Sequence, residues 1–347
     1  MLHAIGLLLA ALVTAAAIAE LRHRARRWGL VDHPDARKHH AAATPLVGGI
    51  GMFMGLIVGA TLLASGPTTG WLIAAGGIVV IVGVADDRLE LGSTLRLAAQ
   101  TAAGLVMTLG AGVTLANLGH LGAPDEIMWL GDWSVPLTVF ATVGVINALN
   151  MSDGMDGLAG TLTLVAAGAL ALAAALGGHA QSAWTLGLLM AVVAAFLFFN
   201  LRARGPALVF MGDAGSMLLG LVLAWFAVAL TQGEDRAIAP VTALWILAVP
   251  LIDTVSLIVR RLLRRRSPFS ADRWHLHHLL RDRLGPRRAL GFEALLAVAT
   301  AGMGLAADYA GVSEALMFWL FIGVFTGYTL FGWFWAGHSA PQPDAAD

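Results

Sequence analysis

The sequence predicts an all-α polytopic integral membrane protein with about 11 transmembrane helices, its N-terminus outside and its C-terminus cytoplasmic. Three observations predict this. The chain is 58% hydrophobic and only 12% charged, about half the charged content of a soluble domain, near 25%. The apolar residues come in long blocks, and about 20 of them are needed to cross the hydrocarbon layer. The basic residues fall almost entirely on one side of the resulting topology.

The spans are expected at about 2–21, 46–65, 71–85, 94–114, 133–150, 158–177, 182–200, 214–231, 238–258, 288–307 and 314–335. The first run has no basic residue ahead of it and is long for a signal peptide, so it reads as a retained helix. The run at 71–85 is short, and the run at 94–114 is rich in Gly and Thr. With the N-terminus outside, every Lys and Arg except Arg236 falls in an inner loop or at its edge, and the largest group runs from Arg260 to Arg288. Cytoplasmic loops carry such an excess. The inner loops, about 22–45, 86–95, 150–158, 200–214 and 259–288, are also the polar ones, so chemistry is expected on the cytoplasmic face. Residues 1–338 read as one membrane domain and 339–347 as a disordered tail. The absence of cysteine excludes disulfides, thiolate metal sites and cysteine nucleophiles.

Five inner segments carry polar constellations. VDHPDARKHHAAATPLVGGIG, 31–51, joins a basic cluster to a TPxxGG turn at a helix start. Glycines there allow close backbone approach to a ligand, and helix N-termini favour anions; the alternative is an ordinary positive-inside loop. VGVADDRLELGSTLRLAAQ, 82–100, places Asp86 and Asp87 at an inner helix end. Adjacent side chains on a helix do not face one another, so the pair is expected to divide two tasks, one near a metal and one near a reacting group. In NALNMSDGMDGLAG, 147–160, Asn147, Asn150, Asp153 and Asp156 recur every three residues, which puts neighbours on roughly one helical face. Gly154 and Gly157 mark a helix break there.

In NLRARGPALVFMGDAGSMLLG, 200–220, Asp213 lies just before an apolar span, either as a helix cap or as a ligand for a hard metal. In RRLLRRRSPFSADRWHLHHLLRDRLGPRR, 260–288, Arg273, His275, His277 and His278 form a dense basic group. The expected helix would point His275 and His277 apart, and neighbouring arginines repel cations, so phosphate is a better match than zinc. Anionic lipid head groups are the alternative. Asp253 lies inside a span, where a centred Asp costs roughly 3 kcal/mol on insertion scales, so it needs a backbone or basic partner.

Together, carboxylates, amides, glycine turns and an Arg/His loop on one face describe a site for a diphosphate substrate. A proton-coupled transporter and a lipid-binding scaffold are the non-enzymatic alternatives. A transporter, though, would place its acids deeper in the membrane, and a scaffold has no use for them.

The chain also resembles a known family, the polyprenyl-phosphate N-acetylhexosamine-1-phosphate transferases. It is most similar to the subgroup that pairs undecaprenyl phosphate with UDP-N-acetylglucosamine. The motifs are DHPDARKHHAAATPLVGG, VGVADDRLE, INALNMSDGMDGLAG, FMGDAGS and SPFSADRWHLHHLL, in family order between about residues 30 and 280. The resemblance implies transfer of a sugar 1-phosphate from a UDP-N-acetylhexosamine to a polyprenyl phosphate, releasing UMP, as the first membrane step of a cell-envelope polysaccharide. Another UDP-N-acetylhexosamine, or a muramyl-pentapeptide donor, is the alternative within the family.

It further implies Mg2+, replaceable by Mn2+, with Asn150, Asp213 and Asp87 as ligands. Asp86, Asp87, Asp153 and Asp156 match catalytic or nucleotide-sugar positions, with Asp86 or Asp87 positioning or deprotonating the lipid phosphate. Lys38, Arg96, Asn147, Arg273, His275, His277 and His278 match substrate-binding positions. Glu90 stands where the family's third acid is usually Asp. The implied partners are the two substrates and membrane lipid, without nucleic acid; a homodimer is compatible with the sequence. Transfer is either direct or through an acyl-phosphate enzyme.

Overall fold

The computed structural model describes residues 2–32, 43–63, 67–122, 126–202, 205–265, 267 and 274–338. Its helices are α1 (Leu2–Trp28), α2 (Gly48–Leu63), α3 (Pro67–Leu89), α4 (Ser93–Leu105), α5 (Ser134–Met151), α6 (Leu158–Leu176) and α7 (Ala180–Asn200). They continue with α8 (Gly212–Ala229), α9 (Pro240–Ile246), α10 (Ala248–Leu263), α11 (Leu276–Leu284), α12 (Pro286–Tyr309) and α13 (Glu314–His338). Among the described residues the only strands are a two-residue antiparallel pair, β1 (Val31–Asp32) and β2 (Thr44–Pro45).

Eight of these helices are long and apolar enough to cross a bilayer, or nine if the bent pair α9 and α10 counts as one span. Two of the eleven expected runs form shorter helices, α2 with 16 residues and α4 with 13. α4 continues into a five-residue π turn, Val106–Gly110. The short run at 71–85 proves longer, because Thr68 and Thr69 at one end and Asp86, Asp87 and Arg88 at the other are all helical. The protein is thus an all-α integral membrane protein.

α8 is the central column. Its sequence is apolar around the whole circumference, the pattern of a helix with no solvent or lipid face, and 89% of it is buried. α5, α3 and α2 pack on it. The approach is closest where side chains are smallest. A Cβ on Gly49 of α2 would collide with the backbone of Gly215 and Ala214, and one on Gly83 of α3 with the backbone of Ala214. These contacts fix α2 and α3 against the first turn of α8.

The expected single span at 238–258 is two helices bent by 84°. The break falls at Leu247 (φ −98°, ψ 14°). Pro250 supplies the reason: it has no N–H to bond the carbonyl four residues back, and its ring crowds that carbonyl. At the start of α9, Asp308 of α12 accepts hydrogen bonds from Ala239 N (2.9 Å) and Thr242 Oγ1 (2.8 Å). Arg236, the one basic residue expected outside the inner loops, pairs with Glu314 at 2.5 Å.

Candidate active site

α8 begins at Gly212, whose φ of +68° lies in the left-handed region that suits glycine. A Cβ there would also strike the Asp87 carboxylate. Asp87 accepts hydrogen bonds from the backbone N–H of Asp213 (2.8 Å) and Ala214 (3.4 Å). The α8 N-terminus is therefore capped by a carboxylate from α3, and Asp213 is not its own helix cap. Released from that task, Asp213 accepts from Arg96 NH1 at 3.1 Å and from Asn150 Nδ2 at 2.7 Å. Arg96 NH1 also donates to Asp86 Oδ2 at 3.0 Å. The adjacent aspartates turn to different partners, Asp86 to Arg96 and Asp87 to the first turn of α8.

Asn150 donates as well to Ser216 Oγ at 2.8 Å. One turn deeper, Asn147 donates to Gln100 Oε1 at 2.6 Å, and Gln100 reaches Met217 Sδ at 3.4 Å. α5 ends at Met151, before the DGMDG turn. Asn200, buried and not selected from the sequence, anchors that turn. It accepts from Gly157 N at 2.6 Å and donates to the Val209 carbonyl at 3.0 Å. Asp153 is half-buried on this turn. Burial pushes it well above the usual carboxylate range, and the carboxylates of Asp213, Asp87 and Asp156 add to the effect. Asp156 is exposed on the same turn.

The two glycine amides of the TPxxGG turn are already bonded to the protein. Gly48 N donates to the Phe210 carbonyl (3.0 Å) and Gly49 N to the Met211 carbonyl (2.9 Å), while Phe210 N donates to the Pro45 carbonyl (2.8 Å). Backbone groups at a helix start must be satisfied, and here the carbonyls of Phe210 and Met211 satisfy two of them. Lys38 and Arg273, like residues 339–347, lie outside the described residues.

Asp253 has the partners its burial demands: His275 Nδ1 at 2.8 Å, Leu276 N at 2.9 Å and Tyr328 Oη at 2.6 Å. His275 and His277 do not point apart. His275 precedes α11 in extended conformation (φ −65°, ψ 147°), so helical spacing does not apply, and the two rings stack with centroids 5.2 Å apart. His278 lies against His277 at 4.1 Å. The His277 ring closes on the DGMDG turn, since a Cβ on Gly154 would collide with its Nε2. Burial, reinforced by the neighbouring imidazoles of His278 and His275, lowers the His277 pKa to about 3 and keeps the ring neutral.

Among the described residues, two places could take a metal. Asp253, His275 and His277 lie near enough to share an ion, although Asp253 already accepts three hydrogen bonds. The cluster of Asp86, Asp87, Asp213 and Asn150 offers hard oxygen donors of the kind Mg2+ takes. Three carboxylates meet one guanidinium there. Asp86 Oδ1 is buried with no hydrogen-bond partner among the described residues, so this cluster fits a further cation.

Fold and site together define an integral membrane protein with an acidic, arginine-bridged centre at one end of a buried helix, the construction of a phosphate-handling transferase. The family model described as glycosyl transferase family 4 matches residues 69–231. The undecaprenyl-phosphate alpha-N-acetylglucosaminyl 1-phosphate transferase of Escherichia coli (strain K12) is 38% identical over 311 residues, 88% of this chain and 84% of that protein. The protein of the same name from Salmonella typhi is 39% identical over 312 residues, again 88% and 84% of the two chains. That from Haemophilus influenzae is 35% identical over 316 residues, 90% of this chain and 88% of its own. The chain belongs to glycosyl transferase family 4, in the branch of these phosphotransferases.

Proposed function

We propose that the protein transfers N-acetylglucosamine 1-phosphate from UDP-N-acetylglucosamine to undecaprenyl phosphate, forming a lipid-linked pyrophosphate and UMP. The observation that carries this is the convergence on Asp213. Residues from two other segments, Asp87 and Arg96 of 82–100 and Asn150 of 147–160, bond its side chain or its backbone within 3.1 Å. The names of the relatives supply the donor and acceptor. The distribution of Lys and Arg supports the finer topology of 11 spans with the N-terminus outside and this centre facing the cytoplasm.

In this reading Asp87, Asp213 and Asn150 would hold Mg2+, or Mn2+ in its place. When bound, the ion would offset charge on the transferring phosphoryl group and on the departing UMP. Asp86 places the lipid phosphate and takes its remaining proton, and Arg96 draws the phosphates toward the acidic centre. Asp153 and Asp156 face the nucleotide sugar. Arg273, His275, His277 and His278 clamp the pyrophosphate and sugar, with Lys38 at the rim and Asn147 supporting the turn from below. A neutral His277 donates or accepts a hydrogen bond without adding charge.

The test is incorporation of labelled UDP-N-acetylglucosamine into an organic-extractable product by purified protein supplied with undecaprenyl phosphate. Product should form with Mg2+ and disappear with EDTA. Full activity in metal-free buffer would remove the metal from the reading, and no product under any condition would remove the reaction.

A further inference from the structure

The network around Asp253 lies outside the acidic centre, yet it ends on the DGMDG turn. Asp253 is buried in α10 and accepts three hydrogen bonds, two from adjacent residues at the start of α11 and one from α13. The His275 imidazole meets Asp253 through Nδ1, and an ionised carboxylate can only accept there, which places a proton on Nδ1. The amide of Leu276 is the first orphan N–H of α11, a helix with no side-chain cap of its own. The third donor, Tyr328, comes from α13. A carboxylate that accepts several hydrogen bonds holds its partners in one orientation far better than a single contact does. From His275 the path runs on through ring stacking to His277, and His277 abuts Gly154 between Asp153 and Met155.

We infer that Asp253 and Tyr328 are positioning residues of the transfer site. They hold α11 and the histidine pair so that His277 seats on the DGMDG turn where the nucleotide sugar binds. Neither residue touches substrate on this view; both act through His275. The inference rests on the proposed reaction, and it adds two residues from α10 and α13 that none of the five sequence motifs contains.

Three features favour positioning over plain structural support. The carboxylate bonds to a chemistry-bearing side chain rather than to scaffold alone. It also caps the short helix that bears the other two histidines. And α13 is among the least buried spans, with 17% of its window inside the protein, yet it sends a tyrosine hydroxyl inward to this one carboxylate.

The experiment uses purified full-length Asp253→Asn, Tyr328→Phe, His277→Ala and the double variant Asp253→Asn with His277→Ala, each checked for monodispersity. Asp253→Asn keeps the shape but loses charge and one acceptor site; Tyr328→Phe keeps the ring and removes a single donor. Both should raise KM for the UDP-sugar about tenfold, the low end of what loss of an outer partner costs a site. KM for the lipid phosphate should stay within about twofold of wild type. The double variant should be no worse than His277→Ala alone, because residues acting through one another are not additive.

Equal rises in both KM values, unchanged kinetics, or losses that multiply in the double variant would overturn the inference while leaving the reaction intact. Should Asp253→Asn fail to fold, Tyr328→Phe carries the same test. If wild type itself does not turn over the UDP-sugar, the proposed reaction is what fails. In that case the 15N signature of His275 decides the positioning claim alone: an Nδ1–H tautomer in wild type that becomes mixed in Asp253→Asn supports it, and an unchanged tautomer overturns it.

Discussion

Asp87 of α3 caps the helix that carries Asp213, taking the Asp213 amide at 2.8 Å, so the two acids are joined backbone to side chain rather than carboxylate to carboxylate. Their substitutions should therefore differ. Asp87→Ala removes a cap and is expected to lower stability by about 1 kcal/mol, within the range for lost caps, as well as activity. Asp213→Asn leaves the cap in place and should reduce turnover by orders of magnitude with folded protein retained. Thermal unfolding beside initial rates separates them. Near-wild-type turnover in Asp213→Asn would refute its place at the centre.

Gly154→Ala is expected to unseat the histidine loop. The new Cβ would meet His277 Nε2, and its ring carbons at 3.0 and 3.1 Å, forcing a shift of the kind that costs about 1–3 kcal/mol in packed sites. KM for the nucleotide sugar should rise by about tenfold or more on conversion of that strain to affinity, with lipid phosphate use preserved. A variant with unaltered KM would show that the close contact has no bearing on binding.

Asp153→Asn should make the resting protein more stable and the enzyme worse. Burial raises the folded-state pKa of this acid above its unfolded value near 3.8. The folded state then holds the proton more tightly, so its contribution is full at low pH and is lost as pH rises through the raised value. At neutral pH the Asn variant should melt higher than wild type, and its turnover should fall by at least about 100-fold, the loss typical of a removed electrostatic contact in a site. A lower melting temperature would contradict the assignment.

His277 has the opposite pH signature. Its folded pKa of about 3 lies below the ordinary 6.5. Its stabilising contribution is complete above pH 6.5 and drains away as pH falls, because the unfolded chain takes a proton that the folded ring refuses. This one group contributes a slope of about 1.4 kcal/mol per pH unit between those limits. Unfolding followed from pH 7 to 5 should be flatter in His277→Asn than in wild type; parallel curves would count against a neutral, enclosed ring.

Direct transfer requires no enzyme nucleophile. The second pKa of a phosphate monoester lies near 6, so the lipid phosphate already brings an ionised oxygen at neutral pH. Wild-type protein given UDP-N-acetylglucosamine alone should release no stoichiometric UMP. A lipid-independent burst, with sugar phosphate trapped on Asp86 or Asp87, would replace direct attack with a covalent route.

Helices were legible because apolar runs are local: each expected span contains a helix, and the break after Asn150 falls at the glycines that forecast it. The demand of Asp253 for a partner was legible too, since the cost of burying a charge depends only on where it sits. What could not be read were partners distant in sequence. Asp87 meets the Asp213 amide 126 residues away and Asn200 the Gly157 amide 43 away, and no periodicity encodes such pairs. The glycines at 48 and 49 suit ligand approach and helix approach equally, and only the carbonyls of Phe210 and Met211 decide between them. Tyr328 left a faint sign, as one of only two tyrosines in the chain, placed inside an apolar span.

The burial of α8 has a consequence for life in different membranes. A bilayer thicker or thinner than a helix is accommodated by tilt, and tilt falls on helices that touch lipid. α1 and α13, with 22% and 17% of their windows enclosed, are free to lean. α8, enclosed over 89% of its window and pressed against Gly49 and Gly83, has no such freedom. The depth of Asp213 is thus set by protein contacts and not by acyl-chain length, so the centre keeps its height as lipid composition changes with growth temperature.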